Sequence, residues 1–370
     1  MLTEKLQFRL GASQRRRAES PLGDAPIGIG FEAVKRCLSL SARTAIRKLA
    51  WALPRPLVGL AMLSGCAYEV VTGSAMGTTY AITANCPDRM PTAAVGALLE
   101  RIDARMSTYD ETSELMRFNS GPVGEWMHVS RELVEVVAAA KRVAEHTGGA
   151  LDPTVAPLVA LWGFGASASP DEPADAAIRA ALLSTGHRHV RYRLAPPALV
   201  KDRALSMDLS AIAKGHAVDG MADVLRAAGC RAFLVELGGE IRALGSAPSG
   251  GPWRIGVDSP SGRGQLEEPI RLRDAGMATS GDYRQYTERD GRRDTHIIDP
   301  RSGYPVRHRL ASVTVVAESA RSADAYATAL MVLGERDGMR FAEDAGLAAL
   351  FIVRTDEGFE TLRSEAMADV

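Results

Sequence analysis

What most limits the fold of this chain is an irregular mix of two apolar periods. Residues 92–105, continuing to Met106, place Val95, Leu98, Leu99 and Ile102 at helical spacing. Leu133, Val134, Val137, Ala140, Val143 and Ala144 repeat that spacing, and Gly148-Gly149 stops the helix. A third helix is predicted from about Ala211 to Ala228, ending near Gly229, and a fourth over 320–333. Between them lie runs too short for helices. Tyr68–Val71 and Thr78–Thr83, separated by Gly73 and Gly77, suggest a hairpin. Further short apolar runs occupy 232–237, 241–244, 253–257 and 311–317, and 348–353 with 359–362 reads as a terminal strand pair. Regular strand–helix–strand alternation is missing, which favours α+β, with mixed or antiparallel sheets and packed helices in one domain or two lobes. The stretch 164–203 is polar, Ala-rich and Pro-containing, and is expected at the surface.

The charge is unevenly spread. The 370 residues sum to −1. Residues 1–65 hold 11 Lys/Arg against 4 Asp/Glu, or +7, which leaves −8 for the rest. An acidic body argues against a nucleic-acid partner. Arg43, Arg47, Lys48 and Arg55 precede the apolar run 57–63, and Ser64-Gly65-Cys66 follows. A basic segment, a short apolar stretch and small residues before a cut describe a secretory leader. Cysteine after Leu63-Ser64-Gly65 resembles a bacterial lipobox, with Cys66 lipidated. The run is far short of the roughly 18–20 residues that span a bilayer, so the expectation is an anchored protein of the cell envelope, facing the periplasm. The leader is 1–65, with 1–40 read as an over-extended start, and the working domain is 66–370. Pro54 and Pro56 interrupt the apolar stretch, and a buried helix with Cys66 as a core thiol is the competing reading. No CxxC pair occurs, so a zinc or iron–sulfur site finds no support. Cys86 and Cys230 are expected to be free, half-buried thiols rather than a bridge.

Four segments combine a permissive turn with polar residues that a core would not choose. In Met207–His216, Asp208 or Ser210 is placed to cap a helix, with Lys214 in its first turns beside helix-terminal amides that suit a phosphate. Alone, this peptide reads better as a plain strand–helix junction. Ala278–Tyr283 brings small hydroxyl residues and Gly281 together. Beyond it, 289–293 reads as a hairpin tip, with His296 and Asp299 flanking the same ladder. A histidine there suits either a proton acceptor or a satisfied structural side chain. Asp324 and Thr328 are four apart on a predicted helix, so both oxygens share one face. That pair suits Mg²⁺, although a helix-dipole role for Asp324 explains it equally simply. Asp152-Pro153-Thr154 reads as a helix start, and Trp162 and Phe164 as core residues or as rings to stack on an aromatic ligand. No GxGxxG, GxxxxGK[ST] or GxSxG motif is present.

In order, these segments resemble the ApbE family of FAD:protein FMN transferases. The resemblance runs from Ala75-Met76-Gly77-Thr78-Thr79-Tyr80 through Met106-Ser107-Thr108-Tyr109 and Arg117-Phe118-Asn119. It continues through Leu151-Asp152-Pro153-Thr154, Asp208–Gly215, Gly238-Gly239, Ala278–Tyr283 and His296–Pro300 to Ala323-Asp324-Ala325 with Thr328. It implies that Met76, Tyr109, Ala150, Leu151, Asp152, Asp208, Lys214 and Ile298 line an FAD site. It also implies that the Ala211 carbonyl, Asp324 and Thr328 hold Mg²⁺.

The implied reaction moves FMN from FAD to a threonine of an acceptor flavoprotein, a subunit of a membrane redox complex, and releases AMP. His296 is the candidate base. His216, Glu236, Glu240 and Ala327 depart from the commonest family pattern and bear on the flavin contacts. Two rivals share these residues. One is a Mg²⁺-dependent FAD pyrophosphatase, the other a non-catalytic FAD-binding lipoprotein.

Overall fold

The computed structural model describes residues 68–164, 172–258, 260, 269–283, 286–289 and 292–370. The leader, Cys66 and the hairpin-tip residues Asp290 and Gly291 lie outside the described residues. Strands β1 (Glu69–Ala75) and β2 (Thr78–Asn85) form the expected hairpin. Helices α1 (Thr92–Met106), α2 (Glu114–Ser120) and α3 (Arg131–His146) follow, with the two-residue β3 (Met127–His128) before α3. Next come α4 (Ala156–Leu161), α5 (Asp175–Leu182), β4 (Val190–Leu194), β5 (Pro197–Lys201) and α6 (Ser210–Ala227). Strands β6 (Ala232–Leu237), β7 (Glu240–Leu244), β8 (Trp253–Ile255), β9 (Ile270–Leu272) and β10 (Gly276–Gly281) lead to the hairpin of β11 (Tyr286–Arg289) and β12 (Arg292–Thr295). The chain closes with β13 (Leu310–Ala317), α7 (Ala320–Asp344), β14 (Ala348–Thr355) and β15 (Gly358–Arg363).

The centre is an eight-stranded sheet in the order β1-β2-β6-β7-β10-β13-β14-β15, with every neighbouring pair antiparallel. This is a single α+β domain. Both faces of the sheet are covered, which explains why β6 reads as a nearly continuous apolar run. Phe233, Val235 and Leu237 pack with α1, α3 and α6, while Leu234 points to the other face with Trp253 of β8 and Leu272 of β9. Two glycines let the start of α7 approach closely. A Cβ at Gly215 of α6 or at Gly276 of β10 would collide with the Ala320 backbone. Asp219 of α6 accepts from the Ala320 and Arg321 amides at 2.9 and 3.0 Å, capping α7 where its dipole favours an anion.

Four local expectations change. Cys86 and Cys230 form a disulfide, which joins the segment after β2 to the one before β6. The antiparallel pairing of β2 with β6 brings Asn85 opposite Ala232, so the adjoining cysteines meet. The 164–203 stretch is not all surface: β5 is core, and even Lys201 is buried. Its ammonium donates to the carbonyls of Phe118 at 3.0 Å and Asn119 at 2.6 Å, which satisfies a buried cation without a carboxylate. Asp152-Pro153-Thr154 is a turn, and the helix begins at Ala156 with Pro157 in its first turn. The helix predicted over 320–333 extends to Asp344, with non-helical backbone at Gly334.

Candidate active site at one end of the sheet

The site forms where several strands end together. The β1–β2 turn at Met76-Gly77, the β6–β7 turn at Gly238-Gly239 and the far end of β10 lie at one edge of the large sheet. Above that edge run the first turns of α6 and α7. Lys214 is the fifth residue of α6, and its Nζ lies 2.9 Å from Glu240 Oε1 and 3.8 Å from Asp324 Oδ1. Both carboxylates are buried, each side chain about 4% exposed. Asp324 Oδ2 accepts from the Gly215 amide at 3.0 Å. A regular α-helix directs that same amide at the Ala211 carbonyl. The Gly215 amide thus ties Asp324 to the turn of α6 that carries Ala211. Thr328 follows one turn later, its hydroxyl 3.1 Å from Ser280 Oγ of β10.

This donor set fits a magnesium ion on chemical grounds. A carboxylate, a main-chain carbonyl and a hydroxyl are hard oxygen ligands, and Mg²⁺ takes few of them and keeps room for phosphate oxygens. Among the described residues no group of three or more His, Cys, Asp or Glu could hold a metal ion. Burial pushes the Asp324 carboxyl above its ordinary range, and the Lys214 ammonium and the Gly215 amide only partly offset this. A cation beside it would remove that penalty.

The residues expected to meet the flavin form a second group. Ala150 and Leu151 are buried, and Ala150 packs with Ala278, Ala323 and Ala327, so this segment shares a wall with α7. Asp152 is also buried, and its oxygens are fully engaged. Oδ1 accepts from the Thr154 amide and hydroxyl at 2.8 and 2.6 Å. Oδ2 accepts from the His187 amide at 2.8 Å and lies 3.2 Å from His187 Nδ1. The side chain thus fixes the turn and leaves the backbone to face a ligand. A cavity of about 290 Å³ opens here, between Gly148-Gly149, Asp152, the Gly186–His189 turn and Arg301. A larger cleft of about 430 Å³ lies between α3 and α7, lined by Arg142, His146, Arg321 and Tyr326. None of the sequence-predicted residues lines it.

Backbone clamps join the two groups. The Asp208 amide donates to the Pro153 carbonyl at 2.8 Å. Asp208 Oδ1 accepts from the Ser210 amide at 2.7 Å and its hydroxyl at 2.5 Å, a local turn just before α6. The N-cap itself is Leu209, without a side-chain bond, so neither predicted residue caps the helix. Just upstream, Asn119 bonds Met207 in both directions, at 2.9 and 2.8 Å. Met76 takes a left-handed backbone conformation with φ 51° and packs on the core below α1 and α6. Such a backbone is uncommon for a residue with a side chain. Tyr109 is 79% exposed, leaving its ring face open for stacking.

Ile298 is buried with Trp162 and Leu158 and bridges to Pro305. His296 and Asp299 lie past the end of β12 rather than along its ladder, because pairing stops at Thr295. The His296 ring meets Phe164 edge-on at 6.4 Å. Trp162 is core, its indole N–H donating to the Gly303 carbonyl at 2.8 Å. In sequence Glu240 stands out only as a departure from a pattern, and neither Asp219 nor the use made of Asn119 stands out at all. For Glu240 the available signal is an acid directly after a glycine pair that ends an apolar strand.

Comparison with known proteins shows the family. The ApbE family model matches residues 76–351. The FAD:protein FMN transferase of Vibrio cholerae is 43% identical over 322 residues, covering 84% of this chain and 96% of the relative. The apo crystal structure of the flavinyl transferase ApbE from Pseudomonas stutzeri superposes with a TM-score of 0.76 at 40% identity, over 82% of this chain and 96% of that one. The flavin transferase ApbE structure from Vibrio cholerae gives 0.75 at 43% identity, over 82% and 99%. With the family model matched over residues 76–351 and matches that run nearly the full length of its relatives, the chain belongs to the ApbE family.

Proposed function

We propose that this protein is an FAD:protein FMN transferase that moves FMN from FAD onto a threonine hydroxyl of an acceptor flavoprotein, releasing AMP. The observation that carries the reading is the buried Asp324 carboxylate, 3.8 Å from the Lys214 ammonium, bonded to the Gly215 amide of α6 and one helical turn before Thr328. A protein that only stores flavin needs no metal at the pyrophosphate, and a buried carboxylate suited to hold one favours turnover.

The bond that breaks joins the FMN phosphorus to the oxygen that leaves with AMP. The bond that forms joins that phosphorus to the threonine oxygen, whose proton must go to a base. Lys214 sits where an ammonium can neutralise pyrophosphate oxygens. The backbone at 150–152, tied to Asp208 through Pro153, positions the flavin half. Tyr109 offers a stacking face, Met76 and Ile298 supply apolar contact, and His296 is the proposed proton acceptor. Asp324, Thr328 and the Ala211 carbonyl would hold Mg²⁺, which supplies neutralisation of charge developing on the transferred phosphoryl group and on AMP.

The proposed setting is the cell envelope, with the protein anchored through lipidated Cys66, facing the periplasm and serving a membrane redox complex. The Cys86–Cys230 disulfide supports this, because such bonds persist in oxidising compartments. The test is incubation of the purified protein with FAD and Mg²⁺, with and without a candidate acceptor subunit, read by intact mass and in-gel flavin fluorescence. An acceptor heavier by one FMN, with the signal lost in Asp324→Ala, is the expected result. FMN and AMP released with no labelled acceptor would replace it with a pyrophosphatase. FAD left intact under all conditions would leave only a binding protein.

A further inference from the structure

We infer that Glu240 is a positioning residue for the cation site, holding the Lys214 ammonium off Asp324 so that the aspartate stays open to a divalent ion. The inference rests on the transferase reading above and concerns a residue outside the three proposed ion ligands. Lys214 has two buried carboxylates within ion-pair reach, at unequal distances. It is in hydrogen-bond contact with Glu240 at 2.9 Å and stands beyond that distance from Asp324, at 3.8 Å. Asp324 spends its other oxygen on the Gly215 amide. Without the Glu240 charge, Asp324 Oδ1 would remain within ion-pair reach of the ammonium, and the lysine would close on it in place of an ion.

The backbone makes Glu240 a fixed post. It opens β7 directly opposite Leu237, after a turn whose Gly238 and Gly239 have φ of 62° and 104°. A Cβ at Gly238 would also crowd the Thr78 methyl at 2.9 Å. The carboxylate therefore leaves the sheet edge in one direction, toward α6.

Charge counting gives the inference an unusual signature. Asp324, Glu240 and Lys214 sum to −1; a divalent ion takes the site to +1, and a doubly anionic pyrophosphate returns it to −1. With glutamine at 240 the same series is 0, +2 and 0. Loss of the Glu240 charge should therefore weaken the ion while leaving FAD bound as well or better. A merely structural defect would weaken both.

The experiment uses the purified protein, Glu240→Gln and Glu240→Asp. Mn²⁺ binding without FAD is followed by the electron paramagnetic resonance signal of the free ion. FAD binding without metal is followed by quenching of flavin fluorescence. In Glu240→Gln the Mn²⁺ Kd is expected to rise roughly tenfold, with FAD affinity unchanged or tighter, and Glu240→Asp should fall between it and the parent protein. Parental Mn²⁺ affinity in Glu240→Gln, or joint loss of Mn²⁺ and FAD affinity, would overturn the inference. If the parent protein itself binds neither Mn²⁺ nor FAD, the transferase reading fails first and this inference with it.

Discussion

Asp152, in the turn after α3, and Asp324, in the first turns of α7, are buried to a similar depth, 8% and 3% exposed, but their surroundings answer the charge differently. Burial pushes both carboxyls upward. At Asp152 the bonds from His187 and Thr154 outweigh it and hold the group below its ordinary range. At Asp324 the Lys214 ammonium and one amide do not, and the group stays above its ordinary range. Depth alone therefore does not decide how far a buried acid's charge is answered. What separates the two is how many donors the fold has already committed. Both Asp152 carboxylate oxygens already accept hydrogen bonds, whereas Asp324 keeps an oxygen that only a long contact to Lys214 addresses.

Substitution should divide the pair sharply. Asp324→Ala is expected to cut FMN transfer by about a thousandfold or more, in line with loss of a group that organises transition-state charge, with the far-ultraviolet circular dichroism spectrum retained. Parental turnover in that variant would break the contrast at its functional end. Asp152→Asn should act through the fold, because an amide nitrogen would meet a donor where a carboxylate oxygen accepted one. A loss of about 3 kcal/mol in urea unfolding is expected, and a stability within error of the parent would show that Asp152 is not the anchor of its turn.

Acidity sharpens the comparison, because the signs are opposite. The folded value of Asp152 is depressed, so its contribution is present above about pH 4 and is lost as pH falls through that lower value. The folded value of Asp324 is raised, so its contribution is full below about pH 4 and is lost as pH rises through the higher value. Melting in EDTA should thus show Asp324→Asn gaining on the parent as pH rises, by about 1 kcal/mol at pH 8. Asp152→Asn should approach the parent as pH falls. Two difference curves of the same sign would refute the assignment.

Glu132 of α3 gives a smaller, third case. His216 lies 3.1 Å from it and Arg101 3.3 Å, with Arg105 also paired. The His216 contact is the largest influence and, with both arginines, draws the Glu132 carboxyl down to about 2 against the cost of burial. Its contribution is present above about pH 4.5 and fades as pH falls toward 2. Because solvent reaches this network, Glu132→Gln should cost only about 1 kcal/mol in urea unfolding at pH 7. A cost as large as that of Asp152→Asn would mean that donor count, rather than depth, sets the scale even near the surface.

Much of the fold is legible in the residue order. Val95, Leu98, Leu99 and Ile102 all face the core from α1, and the β1–β2 hairpin turns where Gly77 permits it. Local periodicity reports such elements because each residue's face depends on its neighbours three, four or two positions away. It fails at β5, where Lys201 makes a buried strand look like surface, since no local pattern reveals three carbonyls waiting for an ammonium. It fails also at Pro153, where the next proline starts the helix, and at the cysteines, whose meeting depends on the pairing of β2 with β6.

By itself, then, the order of the residues determined the α+β class, the long helices and the motifs that carry the family resemblance, since these are written in short-range spacing and residue chemistry. The tertiary structure decided which acids matter. Lys214 meets Glu240 and Asp324, and Asp152 meets His187, only because the sheet, α6 and α7 bring distant segments within bonding distance. Whether a buried carboxylate is satisfied depends on donors counted in space, and that count has no counterpart along the chain.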